Sequence, residues 1–509
     1  MVVNANLYAH FQQHFPAAPG AILLVTALGR RVSYAEADEM SARIASGLLQ
    51  LGAVAGDRVT VQVEKSVENL FLYLACLRAG LVYHPLNPAY TPAELEYFLG
   101  DAEPSIVVCA PDAVNAVEPL LADSGAKAVL SLDAAGTGTL MERTSSAAPL
   151  ADVAQCDGSD MAALLYSSGT TGQPKGIMLS HDNLRSNAET LVQAWGFSAS
   201  DRLLHMLPIY HVHGLFVAIS CVLMSGSSMS WHAGFSDTGA VAAMPGCTVM
   251  MGVPTYYTRL LNNPDFGPEC CANMRLFISG SAPLLAETFV EFEARTGHTI
   301  LERYGMSETG MNTSNPLRGE RRAGTVGPAI AGVTLRVVDD NGGDLAVGEI
   351  GNLQVRGPNV FSGYWHMPDR TAEDFTADDF FNTGDKALID ADGYVSIVGR
   401  SKDMVICGGL NVYPKEVERV IDDIAGIKES AVIGVPHADF GEVVIAVIVV
   451  DEGCPDVPTA DQVIAHCKTQ LANFKVPKRV ELVDTLPRNA MGKVQKNLLR
   501  ERFTDAVRW

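Results

Sequence analysis

YSSGTTGQPKG, at residues 166–176, combines three glycines, four Ser or Thr hydroxyls and one lysine. It follows the apolar run Met161–Leu165, which predicts a buried strand that leads into an exposed loop. Glycine lets the backbone approach a ligand closely, so backbone N–H groups, hydroxyls and an ammonium together suit a polyphosphate. The hydroxyls belong to Ser167, Ser168, Thr170 and Thr171, and the ammonium belongs to Lys175. The loop is not a Walker A loop, because Gly176 follows the lysine where that motif requires Ser or Thr.

This segment resembles the phosphate loop of the adenylate-forming superfamily, which includes acyl-CoA synthetases, peptide-synthetase adenylation domains and luciferases. The alternative is a flexible polar surface loop that binds nothing. A lysine inside the glycine frame, directly after a buried strand, favours phosphate binding over that alternative. The resemblance implies an ATP-dependent enzyme.

The chain has 509 residues, which is too long for one hydrophobic core and predicts at least two domains. From Asp57 to Ala110, strand patterns alternate with helix patterns, which predicts a parallel sheet covered by helices and hence an α/β fold. The predicted elements are Val59–Val63, Ser66–Ala79, Leu81–His84, Thr91–Gly100 and Ile106–Ala110. The helix at Thr91–Gly100 opens with a Thr-Pro-Ala-Glu capping box, with Pro92 at the first helical position. We expect Leu132–Asp157 to be a surface excursion. The resemblance implies an adenylation domain at 1–399, a hinge at 400–403 containing Lys402, and a small mobile α+β lid domain at 404–509.

The charge and cysteine content exclude several classes of protein. With 37 Lys and Arg against 58 Asp and Glu, the net charge is −21, which argues against a nucleic-acid partner. The longest apolar run, Val443–Val450, is too short to span a bilayer. No signal-peptide pattern opens the chain, and the ten cysteines lack CxxC spacing. We therefore expect a cytoplasmic protein with reduced thiols and without a zinc site or a membrane partner.

The charge is uneven along the chain. The stretch Leu471–Arg502 carries eight basic residues against three acidic ones. A local surplus of this kind in an acidic chain is explained either by contact with a polyanion such as a nucleotide or CoA, or by a solvated face without a ligand.

Two further segments resemble the superfamily's acyl pocket. In Pro208–Phe216, the resemblance implies that His211 lies beside the reactive carboxylate; the alternative for His211 and His213 is a packed pair, and no metal set surrounds them. Pro254 predicts a helix start that places Thr255 and Arg259 on one face. Arginine binds carboxylates bidentately, so Arg259 is either a ligand for a second carboxylate or a surface residue. Arg275 is a second candidate ligand for this carboxylate and ranks below Arg259.

The nucleotide motifs follow in superfamily order. The loop after strand Met274–Ile278 would place adenine and substrate against Gly280, Ser281 and Ala282. The segment Glu302–Thr309 resembles the Tyr-Gly-x-Thr-Glu signature, with implied nucleotide contacts from Tyr304, Gly305, Met306 and Ser307. Glu308 would hold Mg²⁺, which prefers hard oxygen ligands. Asp385 and Arg400 match the ribose-binding positions.

Two motifs belong to the C-terminal part. Gly408 and Gly409 would line a tunnel for the CoA thiol; the alternative is a simple tight turn. Pro487–Val494 resembles the catalytic-lysine motif, so Lys493 would bring its charge to the carboxylate and the α-phosphate. Because one lysine cannot be placed optimally for both half-reactions, the resemblance implies that the small domain rotates about the hinge between them.

The resemblance implies an AMP-forming acid–thiol ligase that uses ATP, Mg²⁺ and CoA. Within the superfamily, the segments around His211, Arg259, Ser281 and Ser307 are most similar to those of malonyl-CoA synthetases, so a small dicarboxylic acid is the expected substrate. Methylmalonate, another short-chain acid, and a stand-alone adenylation enzyme that loads a carrier-protein thiol are the alternatives. No carrier-like Asp-Ser-Leu segment follows, which favours free CoA. A monomer and a homodimer are both compatible with the sequence.

Overall fold

The computed structural model describes residues 4–122, 124–168, 174–282, 284, 286–400, 404–450, 457–487 and 494–504, and at 168, 399, 400, 415 and 419 it describes the backbone alone. The chain forms two compact units. The larger comprises Met1–Pro88, Phe98–Leu165 and Gly176–Val398, and the smaller comprises Ala89–Tyr97, Tyr166–Lys175 and Gly399–Trp509. The domain boundaries at 399 and 403 stay a prediction.

The described strands are β1 (Ile22–Thr26), β2 (Arg31–Ser33), β3 (Arg58–Gln62), β4 (Val82–Pro85), β5 (Ile106–Cys109), β6 (Ala128–Ser131), β7 (Met161–Ser168), β8 (Pro174–Ser180), β9 (Arg202–His205), β10 (Ser228–Trp231), β11 (Val249–Gly252), β12 (Leu276–Ser279), β13 (Ile300–Met306), β14 (Gly310–Ser314), β15 (Thr334–Val338), β16 (Gly351–Arg356), β17 (Gly363–Tyr364), β18 (Phe381–Ile389), β19 (Val395–Arg400), β20 (Val405–Cys407), β21 (Leu410–Val412), β22 (Ile427–His437), β23 (Gly441–Val450) and β24 (Arg479–Leu482).

The described α-helices are α1 (Leu7–Gln13), α2 (Tyr34–Gln50), α3 (Val67–Arg78), α4 (Pro92–Ala102), α5 (Val114–Val117), α6 (Thr139–Thr144), α7 (His181–Ala194), α8 (Ser220–Ser225), α9 (Asp237–Ala243), α10 (Pro254–Asn262), α11 (Pro268–Cys271), α12 (Ala286–Thr296), α13 (Pro368–Asp374), α14 (Pro414–Asp422), α15 (Ala460–Gln470) and α16 (Lys496–Phe503). Short 3₁₀ turns lie at Glu118–Leu121 and Met244–Gly246, and a π-helix lies at His213–Ile219.

Two large sheets dominate the chain. One has the strand order β14-β13-β12-β11-β9-β10-β1-β2 and is parallel except at its two edges. The other has the order β17-β8-β7-β4-β3-β5-β6, and its run from β7 to β6 is parallel. Buried apolar side chains from both sheets and from α2, α3 and α7 join one large core in the larger unit. This arrangement confirms the predicted α/β class.

Two smaller sheets complete the fold. Strands β15, β16 and β18 form an antiparallel sheet with β19 in the larger unit. In the smaller unit, β21, β20, β23 and β22 pair antiparallel, and β24 joins β23 in parallel. Helices α14 and α15 bury apolar residues against this last sheet, as an α+β unit requires.

Local sequence signals explain several helix starts. Ser66 caps α3 by accepting from the N–H of Asn69. At α4, Thr91 Oγ1 accepts from the N–H of Glu94, whose carboxylate accepts from the N–H of Thr91; this is the predicted capping box. Pro254 opens α10 as predicted. Among the described residues, no helix is both long and apolar enough to cross a bilayer.

One expectation about local structure was wrong and another was incomplete. Residues 205–207 have the sequence pattern of a strand, but β9 ends at His205, so the histidine-bearing loop begins at Met206. The carbonyls of His205 and Leu207 accept hydrogen bonds from Lys65, which holds this backbone outside the regular strand. The segment from Leu132 to Asp157 is more than a surface excursion, because it contains α6. Thr144 of this helix is buried and packs against Gly47.

Candidate active site

The candidate site lies along one edge of the eight-stranded sheet. Strands β9, β11, β12 and β13 are consecutive parallel neighbours, with Gly252 beside Ser279 and Ser279 beside Glu302. Their carboxyl ends therefore meet at the same edge. Ligands of such sheets bind outside the carboxyl ends of the strands, and the loops that begin there carry most of the predicted pocket residues.

The loop after β9 brings His211 and His213 to this edge. His213 Nδ1 lies 3.3 Å from Ser281 Oγ, so two of the predicted pocket segments are in contact. The Nε2 atoms of both histidines are buried and have no hydrogen-bond partner among the described residues. Burial lowers the pKa of His211 to about 4 and lowers that of His213 well below its usual value. Both rings are therefore neutral near pH 7 and suit hydrogen bonding to a ligand. The π-helix that begins at His213 widens this turn, as π-bulges frequently do at functional sites.

The loop after β12 is strained where it faces the site. Ser281 adopts a φ of 73°, in the left-handed region that residues other than glycine seldom occupy. A Cβ at Gly280 would lie 2.3 Å from Arg303 Cζ, so only glycine leaves room for the guanidinium there. Ala282 follows, half-buried. These contacts bring Gly280, Ser281, His213 and Arg303 into one cluster.

Arg303 is a site residue that the sequence analysis missed. It is 3% exposed, and among the described residues its Nε and Nη2 atoms have no hydrogen-bond partner. Burial lowers its pKa to about 10, so it remains charged at pH 7. The only sequence signal for this role is that Arg303 directly precedes Tyr304 of the nucleotide motif.

Glu302 supports the same cluster from the neighbouring position of β13. Its Oε1 accepts a hydrogen bond from the backbone N–H of Leu284, 3.0 Å away, which holds the loop after β12. Burial raises the pKa of Glu302 to about 7. This carboxyl group is therefore a titratable support of the loop near neutral pH.

The nucleotide-motif residues follow β13 directly. Tyr304 OH donates a 2.5 Å hydrogen bond to Oδ2 of Asp385, which is 1% exposed on β18. The predicted adenine and ribose residues are thus in contact. Gly305, Met306 and Ser307 are half-buried in the tight β13–β14 turn, where a Cβ at Gly305 would lie 2.1 Å from the Gly310 carbonyl oxygen.

Glu308 is the predicted magnesium ligand. Its side chain is buried, and its charge contributes, after burial, to raising the pKa of Tyr364. Among the described residues, no group of three or more His, Cys, Asp or Glu side chains is placed to hold a metal ion. A single buried carboxylate fits an ion whose remaining ligands are phosphate oxygens and water.

The two arginines predicted for a distal carboxylate are placed differently. Thr255 is half-buried in the first turn of α10, and Arg259 is exposed one turn later, where it helps, after Asn263 and backbone contacts, to lower the pKa of Asp237. Arg275 has another role: its Nε and Nη2 atoms lie 2.7 and 2.9 Å from the carboxylate of Asp201. The prediction of Arg275 as a pocket residue is wrong, because this ion pair and two carbonyl contacts occupy its guanidinium.

The remaining predicted residues lie in or near the smaller unit. Ser167 is half-buried at the end of β7, and Lys175 is buried at the start of β8. Gly408 and Gly409 have φ of 59° and 81° and form the two-residue turn between β20 and β21. Their role in a thiol tunnel stays a prediction. Thr170, Thr171, Lys402 and Lys493, and the side chains of Ser168 and Arg400, lie outside the described residues.

Part of the basic surplus near the C-terminus has a structural explanation. Lys475 is buried between Glu94 and Glu416, and Arg479 pairs with Glu481. Lys496 pairs with Glu418. These side chains are neutralised within the unit, so the surplus of charge in the sequence overstates what is available to a polyanion.

Comparison with known proteins identifies the family. The family model for AMP-binding enzymes matches residues 11–365, and the model for their C-terminal domain matches 416–493. The crystal structure of ATP-bound MatB from Rhodopseudomonas palustris is 52% identical, with a TM-score of 0.79, and the match covers 99% of this chain and 100% of that one. A malonyl-CoA ligase in a ternary product complex with methylmalonyl-CoA and AMP is 35% identical, with a TM-score of 0.81 and coverage of 94% and 100%. A malonate–CoA ligase of Arabidopsis thaliana is 34% identical over 88% of this chain and 78% of its own length. The chain therefore belongs to the AMP-binding enzyme family and is an AMP-forming acyl-CoA synthetase.

Proposed function

We propose that this enzyme activates malonate, first to malonyl-AMP with release of pyrophosphate and then to malonyl-CoA with release of AMP. The observation that carries the proposal is the buried guanidinium of Arg303, which lies against Gly280 and whose Nε and Nη2 atoms have no hydrogen-bond partner among the described residues. The names of the malonate and malonyl-CoA ligases to which the chain is similar support the same substrate class.

A buried, unpartnered arginine is costly, because desolvating a charge without compensation is unfavourable by several kcal/mol. An anionic ligand group removes that cost when it binds. Malonate carries one carboxylate for reaction with ATP and a second that has to be desolvated with it. We therefore assign the second carboxylate to Arg303, with Ser281 as a further hydrogen-bond donor. Arg259, exposed on α10, is the alternative ligand for this carboxylate.

The chemistry itself requires no protein nucleophile. A carboxylate oxygen attacks the α-phosphorus of ATP and pyrophosphate leaves; the CoA thiol then attacks the acyl carbon and AMP leaves. The protein orients the reactants and excludes water from a reactive anhydride. In this proposal, neutral His211 lies beside the reacting carboxylate, Tyr304 and Asp385 hold the nucleoside, and Lys493 brings a cation to the α-phosphate. Glu308 would hold magnesium, which would neutralise charge on the phosphates.

Methylmalonate is a close alternative, because it keeps the second carboxylate that Arg303 would bind. An acid without a second anionic group, such as propionate, leaves the guanidinium unpaired and is disfavoured. A carrier-protein thiol in place of CoA is the other alternative, and it leaves the first half-reaction unchanged.

A panel of acids tests the proposal in the ATP–pyrophosphate exchange reaction with the full chain. The acids are malonate, methylmalonate, sulfoacetate, acetate and propionate, each at matched concentration. We expect malonate to give the highest kcat/KM and propionate to fall below it by about 100-fold or more, because a site built to bind a polar substrate group rejects an acid that leaves its buried partner unpaired. Equal or higher kcat/KM for the monocarboxylates would overturn the assignment. Mass analysis of the product with free CoA then separates CoA from a carrier protein as the acceptor.

A further inference from the structure

Lys65 is a buried cation that is not among the residues proposed to bind the acid, ATP or CoA. It lies in the connection after β3, 8% exposed. Its Nζ donates to the carbonyl oxygens of His205 and Leu207, at 3.1 and 3.0 Å, and lies 2.8 Å from Nδ1 of His205. The indole ring of Trp231 lies 4.2 Å from the same nitrogen.

The hydrogen-bond pattern fixes the state of this pair. Nε2 of His205 lies 2.9 Å from the carbonyl oxygen of Gly214, so Nε2 carries the hydrogen and Nδ1 is an acceptor. Three acceptors therefore surround Lys65 Nζ, which matches the three N–H groups of an ammonium, and the aromatic face adds a cation–π contact. Burial lowers the pKa of Lys65 well below its usual value, and these contacts oppose that shift by stabilising the ammonium form.

These contacts close both ends of one loop. His205 and Leu207 stand where the loop leaves β9, and Gly214 stands where the chain enters the π-helix. A Cβ at Gly214 would lie 1.9 Å from the carbonyl oxygen of Pro208, so the two ends of the loop pass very close to each other. Between them lie His211 and His213, whose Nε2 atoms are buried and have no hydrogen-bond partner among the described residues.

We propose that Lys65, acting through His205, is a positioning residue that fixes the loop carrying His211 and His213 and so sets the affinity of the enzyme for its carboxylic acid. The proposal rests on the proposed function only in placing the acid beside these histidines. Lys65 itself touches neither the acid nor the nucleotide.

Three variants distinguish the contact between Lys65 and His205 from the hydrogen bond between His205 and Gly214. Lys65→Met removes the donors and keeps the length of the side chain. His205→Asn retains an acceptor near the Nδ1 position for Lys65 but loses the bond to Gly214, whereas His205→Gln retains a donor near the Nε2 position and loses the acceptor for Lys65. His84→Asn is the matched control, because His84 is a buried histidine whose Nδ1 bonds Thr60 between β3 and β4, away from this loop.

Each variant is assayed with the acid that the wild type prefers in the exchange panel, so a failed malonate assignment does not affect this test. We expect Lys65→Met to raise the KM for the acid about tenfold and to leave the KM for ATP within about twofold, because only the loop at the acid changes. His205→Gln is expected to resemble Lys65→Met, His205→Asn to show a smaller rise, and His84→Asn to lower the melting temperature without separating the two KM values. The proposal is overturned if a folded Lys65→Met variant keeps the wild-type KM for the acid. It is overturned equally if the KM values for acid and ATP rise together, since that is the result of general destabilisation. Should Lys65→Met fail to fold, an unchanged KM for the acid in His205→Gln overturns it as well.

Discussion

Arg303 in the larger unit and Lys475 in the smaller one are both almost completely buried cations, at 3% and 2% exposure. Lys475 Nζ lies 2.8 Å from Glu94 Oε1 and 2.7 Å from Glu416 Oε1, with the ring of Tyr90 4.6 Å away. Arg303 makes no ion pair with a carboxylate among the described residues, although the charge of Glu302 acts on it, and two of its nitrogens have no hydrogen-bond partner there. Lys475 is therefore a structural cation, whereas we propose that Arg303 is available to an anionic ligand.

The pKa values follow the same division. Burial alone lowers the pKa of Lys475, but Glu416, Tyr90 and Glu94 outweigh it and raise the pKa above the usual value. For Arg303, burial dominates and lowers the pKa to about 10. Removing the first cation leaves buried carboxylates without compensation, whereas removing the second removes an uncompensated charge.

The largest expected effect is the loss of stability when Lys475 is replaced. Lys475→Met leaves Glu94 and Glu416 buried and unpaired, so we expect a loss of ~3–5 kcal/mol in the free energy of unfolding. Urea unfolding monitored by circular dichroism measures it. Lys468→Met, at an exposed position of α15, is the control and is expected to change the free energy by less than ~0.5 kcal/mol. Equal effects of the two variants would contradict the structural role of Lys475.

A smaller effect depends on pH and concerns Glu302, the neighbour of Arg303. Its pKa is raised by burial from 4.5 to about 7, so the folded protein holds a proton that the unfolded chain releases between those values. The stability that this proton contributes is complete below about pH 4.5 and is lost as the pH rises through 7.

Glu302→Gln keeps the acceptor for Leu284 N–H and cannot ionise. We therefore expect the variant to exceed the wild type in unfolding free energy by ~1–3 kcal/mol at pH 8 and to equal it near pH 4.5. Urea unfolding at a series of pH values gives the difference. A difference that does not change with pH would show that Glu302 does not titrate in this range.

The next effect concerns Arg259 and compares its contribution to malonate binding with that of Arg303. Arg259 is exposed on α10, and an exposed charge contributes less to binding than a desolvated one. We expect Arg259→Leu to lower kcat/KM for malonate about tenfold, ~1.4 kcal/mol, and less than a substitution of Arg303 does. Steady-state rates of pyrophosphate release measure both. A greater loss in Arg259→Leu would move the main carboxylate contact to α10.

The smallest expected effect is on the stability of an Arg303 variant. Arg303→Met replaces an uncompensated buried charge by an apolar side chain of similar length, so we expect the unfolding free energy to stay within ~1 kcal/mol of the wild type or to rise. Thermal melting without ligands measures it. A loss above ~3 kcal/mol would mean that Arg303 is a structural residue like Lys475.

The sequence predicted what short-range signals determine. The alternation of elements, the capping box at Thr91 and the proline start of α10 follow from local periodicity and hydrogen-bonding chemistry, and the structure has them. The glycine, tyrosine and acid of the Glu302–Thr309 segment are recognisable because their order in the chain is itself informative.

What the sequence could not provide is the partner of each charge. Arg275 directly precedes β12 and Arg303 lies on the neighbouring strand β13, yet only the fold places Asp201 beside the first and Gly280 beside the second. The contact of Lys65 with the loop after β9 joins residues 140 positions apart. Such pairings are set by the packing of distant strands, and no local pattern records them.

The most direct test of the account is the ratio of kcat/KM for malonate to that for propionate, measured by ATP–pyrophosphate exchange in the wild type and in a folded Arg303→Met variant. If Arg303 binds the second carboxylate of malonate, this ratio falls about 100-fold in the variant, because only that carboxylate loses its partner. The kcat/KM for propionate changes by less than about threefold. An unchanged ratio in a stable variant would contradict it.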